Sequence, residues 1–327
     1  MNDQELDDET YVRQFGFREF SGVRKNWLYR VITVGWFNLV ETVRRSGFTK
    51  MLLIFMFVNL LIQDAVIVLI TSFIPPGYIG ITLDEIFKGV YVESVLGMVS
   101  ILNRITDPAL SAISFISIIS GGTSLMWLLL IAILGGGLIA DDRLNKTTEA
   151  YFSRISRFEY ILGKLLSLVI FSTLVLTLPA VIQYFILSFS LKTDFFANIG
   201  LLFWSIGFTM IAVIIVSTLT LAISSLTTRR TVATMALIII GVVTSALPSS
   251  FGFLYNPDTP FLLIDFIGAI ALLGAILSGY STVEINYESL GFYNGIGLEA
   301  GMVIGMVALV FIISLLVLFN VLFRRDN

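Results

Sequence analysis

Two long stretches of this chain, Ala109 to Ala140 and Leu165 to Leu191, carry no charged residue, while nine of the twenty-four residues between them are charged. That alternation constrains the fold more than any other feature. A charge-free run at least as long as the roughly 20 residues an α-helix needs to cross a hydrocarbon core is a candidate span. The charged interval must then lie in water between two spans. Composition agrees, because 57% of the residues are hydrophobic and the mean hydropathy is +0.93. Only 13% are charged, against roughly 25% in a soluble domain, so one water-soluble core cannot hide the apolar surface. The expectation is an all-α polytopic membrane protein.

Further runs divide the chain. Residues 1–26 form a cytoplasmic tail with an acidic start (Asp3, Glu5, Asp7, Asp8, Glu9) that supplies much of the formal charge of -3. Over 27–46, apolar residues recur at Leu28, Ile32, Trp36, Leu39 and Val43, with Arg30, Glu41 and Arg45 mostly on the other side. This spacing predicts an amphipathic helix lying at the membrane interface. Residues 47–327 read as a single transmembrane domain with six spans near 51–73, 112–140, 165–190, 198–226, 232–247 and 300–323, and with a polar stretch over 74–108 on the outer side.

The apolar run Phe261 to Tyr280 decides the parity of the count. Lys and Arg collect on the cytoplasmic side. If this run does not cross, 17 of the 20 basic residues fall on one side. It is therefore expected to be a re-entrant or interfacial hairpin within the outer segment 248–299, broken at Gly274 or Gly279. Both termini then lie in the cytoplasm, and the protein sits in the cell membrane.

The chain has no Cys and no His, which excludes disulfides, thiol and Ser-His chemistry and the usual zinc and haem ligand sets. No catalytic residue and no metal site is expected. No Gly-x-x-x-x-Gly-Lys-Ser/Thr loop occurs, since Gly163-Lys164 lacks the upstream glycine, so the chain is expected to hydrolyse no nucleotide by that route. Nothing points to nucleic acid. Within the spans the strongly polar residues are few. Asn59, Gln63, Asp64 and Gln183 are candidates for a translocation path, Asp64 above all because a charge in hydrocarbon is costly. The plainer alternative is that Asp64 is hydrogen-bonded and holds helices together. The small-residue run Gly135-Gly136-Gly137 suggests close helix contacts.

The charged segment 141–164 can hold a short helix, capped by Thr147 or Thr148 with Glu149 in its first turn. Tyr151, Phe152 and Ile155 give that helix an apolar side, and Arg154 and Arg157 a basic one. Those aromatics should be covered by the lipid surface or by a partner protein.

At this stretch the sequence resembles a membrane subunit of ABC transporters of the type-2 exporter class. Members of that family carry an Asp-Arg-Glu-x-Gly-Thr-Leu-Glu run after the second span, then Pro-x-Ser-Arg, an acidic residue, and a Gly-Lys that opens the third span. Asp142, Arg143, Thr147, Glu149, Ser156, Arg157, Glu159, Gly163 and Lys164 match. Leu144 replaces the usual Glu, Lys146 the usual Gly, Thr148 the usual Leu, and Arg154 the usual Pro.

The resemblance implies a coupling helix between spans 2 and 3 that docks on a separate ATPase subunit, present in two copies, which binds ATP and Mg. It also implies a second permease chain, identical or not, within the bilayer. Asp142, Arg143, Thr147, Glu149, Tyr151, Phe152, Arg154, Arg157, Glu159, Gly163 and Lys164 become the expected docking and coupling residues. The chain itself is then no enzyme and binds no cofactor. The alternative from another class is a membrane scaffold or intramembrane enzyme with a docking loop, for which Asp64 and Asp265 would be the acids.

Overall fold

The computed structural model describes residues 26–73, 83–99, 115–251, 264–278 and 300–323. The tail, the basic pair Arg324-Arg325 and most of 248–299 lie outside the described residues. Those described are almost entirely helical, without strands.

The helices are α1 (Trp27–Arg45), α2 (Gly47–Phe73), α3 (Leu83–Val99), α4 (Phe115–Leu144), α5 (Thr147–Phe152), α6 (Arg157–Ser172), α7 (Leu178–Ser190), α8 (Ile199–Leu226), α9 (Arg230–Phe251), α10 (Phe266–Leu277) and α11 (Ala300–Phe323). Within them, five apolar stretches are long enough to cross a membrane: Gly47–Val66, Thr123–Leu144, Arg157–Ser190, Ile199–Leu226 and Ala300–Val321. The expected fifth span, 232–247, lies in α9, whose described apolar part, Arg230–Ser245, is shorter.

Contacts fix two ends of the bundle. Lys164 meets Asn38, Arg230 reaches the Ile133 carbonyl, and Arg157 reaches that of Phe323, so α1, α5 and the far end of α11 share one end, here called the basic end. At the opposite end Asn198 donates to Asp84.

Helix α1 packs into the bundle. Val31, Asn38 and Leu39 are buried, and its main neighbour is α6. Trp27, Ile32, Trp36 and Phe37 stay exposed. Ser46 then accepts the Thr49 N–H at 3.1 Å and caps α2.

The third expected span is longer than 165–190. It starts at Arg157 and continues through a π turn at Thr173–Thr177 into α7. The turn has a local cause. Pro179 supplies no N–H, and the ladder widens just before it, with the Leu178 N–H bonding the Thr173 carbonyl. The glycine run behaves as expected: a Cβ on Gly135 would lie 2.3 Å from Thr220 Cγ2, and one on Gly136 2.5 Å from Thr234 Oγ1, so α4 sits close against α8 and α9.

Two expectations are corrected. The 74–108 stretch contains α3, a helix sunk into the bundle, with Phe87, Val90, Tyr91, Val95, Leu96, Met98 and Val99 all buried against neighbouring helices. Its charges interrupt the apolar pattern that would mark it as a buried helix. Asp84 and Lys88 pair with each other at the near end, and Glu93 is buried with the rest. Gly274 is no helix break; it lies inside α10, where a Cβ would strike the Phe208 ring at 2.4 Å, and its carbonyl accepts the Trp204 indole N–H at 2.9 Å. Gly279 lies outside the described residues. Helix α10, 12 residues long, is too short to span a core of about 30 Å.

Candidate functional site

The charged segment is folded back on its own bundle. Helix α4 ends at Leu144, and the chain turns through Lys146 at φ 56°. Thr147 follows, donating its hydroxyl to the Asp142 side chain at 3.1 Å. After the short helix α5, Ser156 opens α6 with a reciprocal capping box. The Glu159 N–H donates to Ser156 Oγ at 3.2 Å, and the Ser156 N–H donates to Glu159 Oε2 at 3.0 Å. The other carboxylate oxygen of Glu159 pairs with Arg30 of α1 at 2.8 Å.

Lys164 is the hub. It is 2% exposed, and its ammonium sits 2.7 Å from Asp142 Oδ2 and donates to Asn38 Oδ1 at 2.8 Å. The Tyr160 hydroxyl donates to the same Asp142 oxygen at 2.8 Å. The rings of Tyr151 and Tyr160 lie 5.6 and 5.4 Å from the ammonium, within cation–π range. A buried cation is tolerated only when paired and hydrogen-bonded, and here α1, α4, α5 and α6 each supply a partner.

The expected site residues therefore divide. Asp142, Glu159, Gly163 and Lys164 face inward and bind helices to one another. Tyr151 and Phe152 are half-buried against the Tyr160 ring, so this chain itself covers much of the apolar side assigned to lipid or a partner. Burial lifts the Tyr151 phenol above its usual value, and the nearby Asp142 and Glu41 charges add to the effect. Arg143 donates to the Ser225 carbonyl of α8. Arg157 donates to the Phe323 carbonyl at 3.3 Å and lies over the Phe152 ring, joining α5 to α11. Thr147 and Arg154 remain exposed. The Glu149 side chain lies outside the described residues. Between α1, the end of α4 and α5 lies a cavity of about 880 Å³, lined among others by Glu41, Asp141, Arg154 and Arg230.

The polar span residues form a second cluster. Gln183 donates to Asp64 Oδ1 at 2.9 Å and to Ser94 Oγ at 2.7 Å, and Gln63 donates to Ser94 at 2.6 Å. Gln63, Asp64 and Gln183 thus meet, and Ser94 of α3 joins them from a stretch whose sequence reads only as polar. Asn59 is only half-buried and stands outside this network among the described residues. Asp265 has a separate task. It caps α10 by accepting the Gly268 N–H at 2.8 Å, and it accepts the Ser245 hydroxyl at 2.8 Å. Among the described residues no three carboxylates converge as metal ligands.

No protein-family model matches the chain, and neither does any curated protein.

Proposed function

We propose that this chain is the permease subunit of an ABC exporter of the type-2 class. In this reading it has six spans, both termini are in the cytoplasm, and a separate ATPase holds ATP and Mg. A second permease chain completes the path. The observation that supports it most is the seating of α5. The short helix leads directly into α4 and α6, its Tyr151 ring lies against the Lys164 ammonium, and Lys164 ties Asp142 of α4 to Asn38 of α1. A push on α5 would be carried to three helices as one body. The exposed Thr147 and Arg154 are the surfaces left for the ATPase, with Glu149 as a further contact. Internal use of Asp265 removes one of the two acids that an intramembrane enzyme would need.

The test is co-purification followed by turnover. The chain should isolate with an ATPase, and Glu149→Lys should lower substrate-stimulated ATP turnover several-fold while leaving the permease folded. Unchanged coupling in that variant would count against α5 as the coupling helix.

A further inference from the structure

Asp64 lies seventeen residues beyond the start of α2, about 25 Å along it at 1.5 Å per residue, and far from the basic end. It is 2% exposed. It lines a cavity of about 430 Å³ whose other walls are Leu61, Ala65, Val68 and Leu69 of α2 and Ile186 of α7. Leu61, Ala65 and Leu69 are exposed, so the cavity opens on the outer surface of the bundle, the surface that faces lipid if α2 spans the membrane.

The cluster behind the cavity is short of hydrogen-bond donors. The amides of Gln63 and Gln183 converge on Ser94 Oγ and Asp64 Oδ1, and the Ser94 hydroxyl donates back to Gln183 Oε1 at 2.9 Å. Among the described residues two buried acceptors, Asp64 Oδ2 and Gln63 Oε1, are left with no donor. A buried acceptor without a partner is costly, and more so when it is charged. Among the described residues no Lys or Arg pairs with Asp64.

We propose that the cavity beside Asp64 binds a primary ammonium group carried on an apolar body, which enters from the lipid side between α2 and α7. An ammonium brings three N–H donors and the missing positive charge. The aliphatic walls take the chain that carries it. A quaternary ammonium has the charge but no N–H, so it fits poorly. This deepens the transport reading by naming a cargo class, and rests on that reading only for the step of transport. An amine lipid headgroup and a free amphiphilic amine offer the same chemistry.

The test uses the full chain in phosphatidylcholine nanodiscs and labelled dodecylammonium in equilibrium dialysis, with the uptake of empty discs subtracted. Saturable binding of one ligand per chain is expected. Asp64→Asn, which keeps the acceptor for Gln183, should weaken it at least tenfold. Ala65→Leu, which fills the cavity without touching the polar cluster, should weaken it similarly, and dodecyltrimethylammonium should bind at least tenfold more weakly. Displacement by phosphatidylethanolamine added to the discs would make a lipid headgroup the ligand. Saturable binding that this lipid does not displace would make it a free amine.

No saturable binding above empty discs, or equal binding by Asp64→Asn, overturns the proposal. Because the assay contains no ATPase, the two readings fail separately. Binding without any ATPase partner would keep the site and remove the transporter, whereas amine-stimulated ATP turnover with unchanged Asp64→Asn binding would do the reverse.

Discussion

Gly35 and Gly163 face each other where α1 crosses α6. A Cβ on Gly35 would stand 3.1 Å from the Gly163 carbonyl oxygen, and one on Gly163 would stand 2.7 Å from Val34 Cγ1 and 2.9 Å from Val34 Cβ. This close approach brings Asn38 within reach of Lys164. The Gly-Lys pair at 163–164 therefore works as a unit, the glycine admitting the helix that the lysine then holds.

Gly163→Ala should destabilise the protein by about 1–3 kcal/mol, the range for overpacking a tight contact, because Val34 Cβ can retreat only with its backbone. Gly207→Ala is the control. It has open space around it, so a gain of up to about 1 kcal/mol in helix propensity should appear instead. Thermal unfolding of both in detergent reads the signs. A loss of equal size in both would mean that the crossing is not the cause.

Lys146 holds φ at 56°, a backbone state that costs an L-residue roughly 1–2 kcal/mol and a glycine almost nothing. The chain makes this turn with a lysine where a glycine would carry no strain. Lys146→Gly should raise stability by about 1 kcal/mol and leave the α4–α5 angle unchanged. A fall in melting temperature would show that the Lys146 side chain contributes more than its strain removes.

Charge-free runs made most spans legible in the sequence, and the tryptophan-bearing period of 27–46 gave α1. What escaped was decided by contacts far apart in the chain. Lys164 enters the expected docking set only through the family's Gly-Lys motif, which says nothing of its burial. Its burial depends on Asn38, 126 positions earlier. Helix α3 is not legible in the sequence because Asp84, Lys88 and Glu93 interrupt its apolar pattern, while the surrounding helices that bury it are distant in sequence. Gln63, Asp64 and Gln183 were found because polar residues in spans are rare, yet Ser94 carried no such signal.

The near end of α3 should respond to acid. Asp84 pairs with Lys88 at 2.7 Å and accepts from Asn198 Nδ2 at 2.5 Å, and these contacts, Lys88 first, hold its carboxyl below the usual value. A carboxyl held low in the fold adds stability above its unfolded value, which is lost as the pH falls through the folded one. Asp84→Asn should therefore be less stable than the parent at pH 7. The gap should close as the pH drops below about 3.9, the ordinary aspartate value. Melting curves at a series of pH values check this, and a gap independent of pH would refute it.

The pair most costly to break should be Lys164 with Asp142. The lysine side chain is 2% exposed and the aspartate 18%, so removing the cation leaves a carboxylate largely shut off from water. Breaking such a pair from one side typically costs about 3–5 kcal/mol. The partial exposure of Asp142 places Lys164→Met near the lower end. The Tyr160 hydroxyl, 2.8 Å from the same oxygen, would still donate to it and prevent a larger loss. Lys164→Met combined with Asp142→Asn removes both charges and should recover much of the single-variant loss, since a neutral amide needs no counter-charge. A double-mutant cycle on unfolding free energies gives the coupling directly. Additive losses, with no coupling between the two sites, would show that the ammonium and the carboxylate do not hold α4 to α6.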